Sequence, residues 1–169
     1  LEEALLLTKK LDWRVNVEIK APGPGKLGPL VPRVLEAIRK TGMVERVVIS
    51  CFDHAVCRAV ATSPAPRPRV QVLTSSRLAL PHVYVKDVVG AEDLNPALDS
   101  LGLGGKDEAA GDPDPAVVVG RLREAGVGVN VWTLNDPEDW KAARALGVTA
   151  IITDRPGELR RWLTGETSK

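Results

Sequence analysis

Residues 129–163 read VNVWTLNDPEDWKAARALGVTAIITDRPGELRRWL, two short β-rich runs on either side of one helical stretch. Asp136 is a residue type that caps helices, and Pro137 is favoured at the first helical position. Gly147 is the residue type that commonly ends a helix. The stretch therefore predicts a strand, a helix and a second strand, the repeating unit of a parallel sheet with right-handed crossovers.

The same alternation extends toward the N-terminus. An apolar stripe through Leu35 predicts a helix that ends at Gly42, and a stripe through Leu122 predicts another that ends at Gly126. The strand candidates are nearly continuous in Val, Ile and Leu, as expected for strands covered on both faces. They are Val15–Lys20, Val47–Cys51, Val70–Leu73, His82–Val85, Val127–Thr133 and Val148–Thr153.

Length and charge restrict the class of protein. A chain of 169 residues suits one domain, taken here as residues 1–169 with an exposed loop at 101–115. A formal charge of +1 argues against a general nucleic-acid or anionic-membrane surface. The N-terminus does not have the pattern of a signal peptide, so a cytoplasmic location is favoured. Cys51 and Cys57 are expected to be reduced packing residues.

Polar side chains follow several predicted strands at their carboxyl ends, where parallel α/β proteins bind ligands. In VNVEIK, at 15–20, Asn16, Glu18 and Lys20 share one face and the aliphatic residues share the other. Two interpretations stay open. Glu18 and Lys20 form a structural ion pair, or Glu18 binds a divalent metal beside a lysine that meets an anionic substrate.

Trp132 shares its predicted face with Asn130, so its indole is either a core residue or one wall of a small-molecule pocket. His54 and His82 are weaker candidates for acid–base chemistry. His54 follows Asp53 at a predicted helix start, and His82 opens a predicted strand.

Taken in order, four stretches resemble the glycerophosphodiester phosphodiesterase family: VNVEIK at 15–20, VVISCFDHAVCRAV at 47–60, LNP at 94–96 and the stretch 129–163. The resemblance implies a TIM-type (β/α)8 barrel that hydrolyses glycerophosphodiesters to glycerol 3-phosphate and an alcohol with bound Ca²⁺ or Mg²⁺. It implies that Glu18 is a metal ligand, that Lys20 lies near the phosphate and that Trp132 is the aromatic wall beside the glycerol. The expected small-molecule partner is a glycerophosphodiester or glycerol phosphate, and no nucleic-acid partner is expected.

The sequence also departs from the family pattern. The family's His-Arg-Gly motif, its Glu-x-Asp pair and the His-Asp that follows are not found in it, and neither His54 nor His82 matches a family catalytic position. We therefore expect a barrel that lacks its first two strands, with weak or absent metal binding and almost no turnover. Three explanations of this incomplete barrel stay open. The favoured one is that the chain is the C-terminal part of a longer protein. The others are a homo-oligomer paired through the open barrel edge and a noncatalytic module that binds glycerophosphate or another protein.

Overall fold

The structure, a computed structural model, describes residues 1–20, 29–102 and 114–165. The chain forms two compact units, one of Leu1–Leu73 and Val83–Asp93 and the other of Thr74–His82 and Leu94–Lys169. Most of the loop expected at 101–115 lies outside the described residues. The prediction of a single domain stays a prediction.

The first unit alternates helices with parallel strands in the sheet order β1-β2-β3. It begins with a helix that has Glu2 and Glu3 in its first turn and Lys9 and Lys10 in its last, charges that complement the helix dipole. Its elements are α1 Glu2–Lys10, β1 Val15–Glu18, α2 Leu30–Thr41, a 3-10 turn at Val44–Arg46, β2 Val47–Cys51, α3 His54–Ala61 and β3 Arg69–Thr74, of which Thr74 belongs to the second unit.

The two faces of this sheet differ as the alternation in VNVEIK predicts. Val17 pairs with Ile49 and Ile49 pairs with Val70, so these three side chains share one face, and Ile49 and Val70 are 0% exposed. Burial of such aliphatic side chains is the main stabilising contribution to the fold. The opposite face carries the polar residues of the same strands.

Helix α2 shows how the sequence sets a helix boundary. Leu35 and Ile38 are buried, and Gly42 adopts a left-handed φ of 66° directly after the last turn. A residue with a side chain would be strained there, so the predicted stop at Gly42 is confirmed. The Lys9 ammonium donates a 2.8 Å hydrogen bond to the main-chain oxygen of Thr41, which places a cation at the negative end of the helix dipole.

The strand expected at His82–Val85 is wrong. Helix α4 covers Pro81–Val83 and continues as a π-helix over Tyr84–Val89. Val85 and Val89 are buried, whereas Val83 is exposed, so burial recurs at the helical spacing of four and does not alternate. The strand that follows is β4, Asp93–Pro96, in which all four residues are buried.

The second unit has the sheet order β4-β5-β6, and the N–H of Trp132, directly after β5, donates to the main-chain oxygen of Pro96, the last residue of β4, at 3.1 Å. Helix α6 begins at Pro137 and is closed by Gly147 directly after its last residue, as predicted, although the Asp136 carboxylate makes no capping hydrogen bond. The elements after β4 are a 3-10 turn at Leu98–Leu101, α5 Pro115–Glu124, β5 Gly128–Val131, α6 Pro137–Leu146, β6 Ala150–Ile151 and α7 Pro156–Thr164.

Trp140 is the largest fully buried side chain of the second unit. Its indole N–H donates a 2.8 Å hydrogen bond to the main-chain oxygen of Leu134, so its polar atom is satisfied in the core. Its ring meets that of Trp162 edge-on at a centroid distance of 5.9 Å. Across the described ranges, no helix has the length and apolar character needed to cross a bilayer.

Both cysteines are free and buried, which confirms them as reduced packing residues. Burial raises the pKa of Cys57 from its ordinary value of 9.0 to about 12, and the nearby Cys51 adds to the shift. A thiol held protonated is a poor nucleophile, because the thiolate is the reactive form.

Cys57 makes the stability of the first unit sensitive to alkaline pH. Because folding raises the pKa of this thiol, its stabilising contribution is complete below pH 9 and is lost as the pH rises from 9 to about 12. We expect iodoacetamide at pH 8 to label Cys57 at least about tenfold more slowly in the native protein than in the urea-unfolded protein. Peptide mass spectrometry measures the two labelling rates. Equal labelling rates in the two states would contradict the burial of this thiol.

Candidate functional site

A row of polar side chains crosses the first unit's sheet. Glu18 pairs with Ser50 in the parallel register and Ser50 pairs with Gln71, so these three side chains lie on one face. The Gln71 amide donates to the buried carboxylate of Asp93 at 3.3 Å, and Arg69 donates to the same carboxylate at 2.9 Å. Ser50 is 0% exposed, and its hydroxyl has no hydrogen-bond partner within the part of the chain that the structure describes.

Glu18 and Lys20 form an ion pair at the carboxyl end of β1. The side chain of Lys20 is 79% exposed and that of Glu18 is 30% exposed. Solvated pairs of this kind contribute only about 0–1 kcal/mol, so the ammonium can exchange partners at little cost. This ion pair is the one that the structural interpretation of VNVEIK expects. The role of Glu18 as a metal ligand stays a prediction.

The described residues do not by themselves fit a divalent cation. Ca²⁺ takes six to eight oxygen ligands and Mg²⁺ takes six. In residues 1–20, 29–102 and 114–165 there is no group of three or more His, Cys, Asp or Glu side chains that could hold a metal, and the Glu18 carboxylate is engaged by Lys20.

His54 is held by two hydrogen bonds inside the first unit. Its Nε2 lies 2.9 Å from the main-chain oxygen of Leu73, and its Nδ1 lies 2.9 Å from the Tyr84 hydroxyl. Since a carbonyl only accepts, Nε2 carries the proton in the neutral ring and Nδ1 accepts from the tyrosine. A ring with both nitrogens engaged in packing contacts acts as a structural residue. His82, in the second unit, has a buried Nδ1 without a partner in the described residues.

Trp132 has its indole fixed by the neighbouring strand in the second unit. The indole N–H donates a 2.7 Å hydrogen bond to the main-chain oxygen of Asn95. Beside it, the Asn130 amide donates to the Asn95 side-chain oxygen at 2.9 Å, with both asparagines buried. The ring is half-buried and its plane is set by these contacts, which suits an aromatic wall better than a mobile surface residue.

The polar residues after β5 and β6 form a network at the carboxyl ends of these strands. Asn135 donates to the Asp154 carboxylate at 2.9 Å, and its side-chain oxygen accepts from Thr153 and from the Asp154 N–H, each at 3.0 Å. The Thr153 hydroxyl also accepts from the Arg155 N–H at 3.0 Å. The clustering expected at this edge of the sheet is present in the second unit.

A small pocket of about 40 Å³ lies where β3 and β4 end. Its polar wall includes Thr74, Ser76, Arg77 and Ser100. The volume holds water but not a glycerophosphate, since each water needs about 10–15 Å³ of such space. The pocket is a feature of the strand ends and is too small to be a substrate site in this form.

The predicted site residues lie in separate units. Glu18 and Lys20 are together in the first unit and Trp132 is in the second, so the expectation that they share one pocket stays a prediction. Asn95, which positions Trp132, was missed because it lies in an unpredicted strand. The only signal for it was the LNP stretch at 94–96.

Comparison with known proteins identifies the family. Residues 7–158 match the Glycerophosphoryl diester phosphodiesterase family. The chain is 29% identical over 160 residues to the glycerophosphodiester phosphodiesterase of Caldanaerobacter subterraneus, an alignment that covers 94% of this chain and 59% of that protein.

Two solved structures show the fold. A glycerophosphodiester phosphodiesterase from Parabacteroides distasonis superposes with a TM-score of 0.80 at 20% identity, over 99% of this chain and 64% of the other. A phosphodiesterase from Oleispira antarctica, solved with the product sn-glycerol-3-phosphate, superposes with a TM-score of 0.77 at 16% identity, over 97% of this chain and 60% of the other. The expected α/β fold of a partial TIM-type barrel is confirmed.

The chain spans about three-fifths of the length of these relatives, and the three alignments cover 94%, 99% and 97% of it. The family match is far longer than any single motif, since it covers residues 7–158. The chain therefore belongs to the glycerophosphoryl diester phosphodiesterase family.

Proposed function

We propose that this chain carries the glycerophosphate-binding part of a phosphodiesterase that hydrolyses glycerophosphodiesters to glycerol 3-phosphate and an alcohol. The observation that carries the proposal is the Lys20 ammonium, which stands 79% exposed at the carboxyl end of β1 with Glu18 as its partner. Ligands of parallel α/β proteins gather at this end of the strands. The Oleispira antarctica relative, which has the same fold, holds sn-glycerol-3-phosphate.

Lys20 and Trp132 have separate tasks in this proposal. The ammonium of Lys20 neutralises the charge of the phosphate, including the charge that develops in the transition state. The indole of Trp132, fixed by its hydrogen bond to Asn95, offers a flat apolar surface to the carbon skeleton of the glycerol.

The isolated chain is proposed to bind the product far better than it turns over a substrate. Hydrolysis of a phosphodiester needs a group that transfers protons to and from the reacting oxygens. His54 has both nitrogens committed to Leu73 and Tyr84, so it is not free for that role. Ca²⁺ or Mg²⁺ and a Glu18 ligand are expectations from the family, and binding of glycerol 3-phosphate through Lys20 does not depend on them.

Replacement of Lys20 by alanine is expected to weaken binding of sn-glycerol 3-phosphate by about tenfold, because a charge-assisted hydrogen bond to the phosphate is lost. Isothermal titration calorimetry of wild type and Lys20→Ala at low ionic strength measures the change. Lys40→Ala is the matched control, since Lys40 is also an exposed lysine and its ammonium pairs with Glu2 at 2.9 Å.

Two results would refute the proposal. Wild-type protein that binds no glycerol 3-phosphate would remove the binding function. Equal weakening by Lys20→Ala and Lys40→Ala would show a general charge effect without a site at β1.

A further inference from the structure

Ser50 carries a polar group with no obvious structural use. Its side chain is completely buried in β2, and its hydroxyl makes no hydrogen bond within the described residues. Buried hydroxyls are almost always paired, so an unpaired one destabilises the protein and calls for an explanation. A second arrangement of the neighbouring side chains, in which the hydroxyl is paired, would supply one.

Only two side chains lie beside Ser50 in the sheet register, Glu18 on β1 and Gln71 on β3. Gln71 already donates its amide to the buried Asp93 carboxylate. Among the residues that the structure describes, the Glu18 carboxylate pairs with Lys20, whose side chain is mostly in solvent. Since adjacent strands are about 4.8 Å apart, a glutamate can reach the hydroxyl of its register neighbour by a rotamer change.

We infer that Ser50 is a positioning residue that receives the Glu18 carboxylate when Lys20 turns to an anionic ligand. This inference rests on the proposed function, because the anion is the phosphate of a glycerophosphate. When the phosphate takes the ammonium, the half-buried carboxylate of Glu18 loses its partner. The Ser50 hydroxyl then donates to Glu18, and a hydrogen bond to an ionised acceptor is among the stronger kinds. The hydroxyl, which has no partner among the described residues, thereby gains one in the complex.

This arrangement predicts opposite effects of Ser50→Ala on stability and on binding. The free protein loses an unsatisfied polar atom, so its midpoint of urea unfolding, followed by circular dichroism, rises or stays unchanged. The complex loses a hydrogen bond that forms only with ligand, so the Kd for sn-glycerol 3-phosphate rises by about tenfold. Ser50→Cys, which keeps a weak donor of similar shape, is expected to bind with an intermediate Kd.

Two further variants separate positioning from packing. Thr41→Val removes another buried hydroxyl of the first unit, one that donates to the Ala37 oxygen at 2.9 Å, and it is expected to lower stability and leave the Kd unchanged. In a Glu18→Gln background, Ser50→Ala is expected to change the Kd less than twofold, because the charged acceptor is gone.

The outcomes are distinguishable. If wild type binds sn-glycerol 3-phosphate and Ser50→Ala binds equally well, the inference is wrong and the proposed function stands. A clear loss of stability in Ser50→Ala would also overturn it, since the hydroxyl would then be paired in the free protein. If wild type does not bind, the proposed function fails first.

Discussion

With glycerophosphocholine and either Ca²⁺ or Mg²⁺, the isolated chain is expected to turn over substrate at least about 10³-fold more slowly than the Caldanaerobacter subterraneus glycerophosphodiester phosphodiesterase, its longer relative. A positioned proton-transfer group contributes about 10²–10⁴-fold to such reactions. The two histidines of the sequence are His54 and His82, and His54 is occupied at both nitrogens. The Nδ1 of His82 is buried within the part of the chain that the structure describes, so this nitrogen does not face solvent.

The assay is the release of glycerol 3-phosphate, coupled to its dehydrogenase, at equal protein concentrations. His54→Gln serves as a control, because a structural histidine affects stability and leaves the residual rate unchanged. Turnover within tenfold of the relative's, or a residual rate abolished by His54→Gln, would contradict the proposed inactivity of the chain.

Trp140→Ala is expected to lower the free energy of unfolding of the second unit by about 3–5 kcal/mol. The side chain is 2% exposed, donates to Leu134 and packs edge-on against Trp162. Alanine removes the buried apolar area, leaves a cavity and leaves the Leu134 oxygen without its indole donor. The loss combines a transfer term with a cavity term, which is why it exceeds that of most core substitutions.

Calorimetric unfolding of Trp140→Ala against Trp13→Ala measures this effect with the residue type held constant. Trp13 is 59% exposed, so its replacement is expected to change stability by less than about 0.5 kcal/mol. Similar shifts in Tm for the two variants would contradict the assignment of Trp140 to the core.

The sequence predicted the fold where local signals agree with tertiary contacts. The β5–α6–β6 stretch was predictable because Pro137 and Gly147 mark the ends of a helix that burial also requires. The strand prediction at His82–Val85 was wrong because Val and Tyr at alternate positions suit a strand and a helix equally. β4 was missed because DLNP is polar at two of its four positions and becomes a strand through its neighbours in the sheet.

The candidate site was predictable only in its local part. Lys20 lies two residues after Glu18, the last residue of β1, so the two side chains pair as near neighbours along the chain. The partners of His54 and Trp132 lie 19 to 37 residues away, at Leu73, Tyr84 and Asn95, and no spacing rule connects them. The lack of a partner for the Ser50 hydroxyl within residues 1–20, 29–102 and 114–165 depends on tertiary contacts that no local pattern gives.

The placement of the four tryptophans determines what intrinsic fluorescence can report. Trp132, Trp140 and Trp162 belong to the second unit, and the first has only Trp13, which is already in solvent. Unfolding of the second unit will move Trp140 from an apolar core into water and shift the emission to the red. Unfolding of the first unit alone will leave the spectrum almost unchanged. An unfolding curve measured by tryptophan emission therefore reports on the second unit and not on the first unit, which contains Lys20.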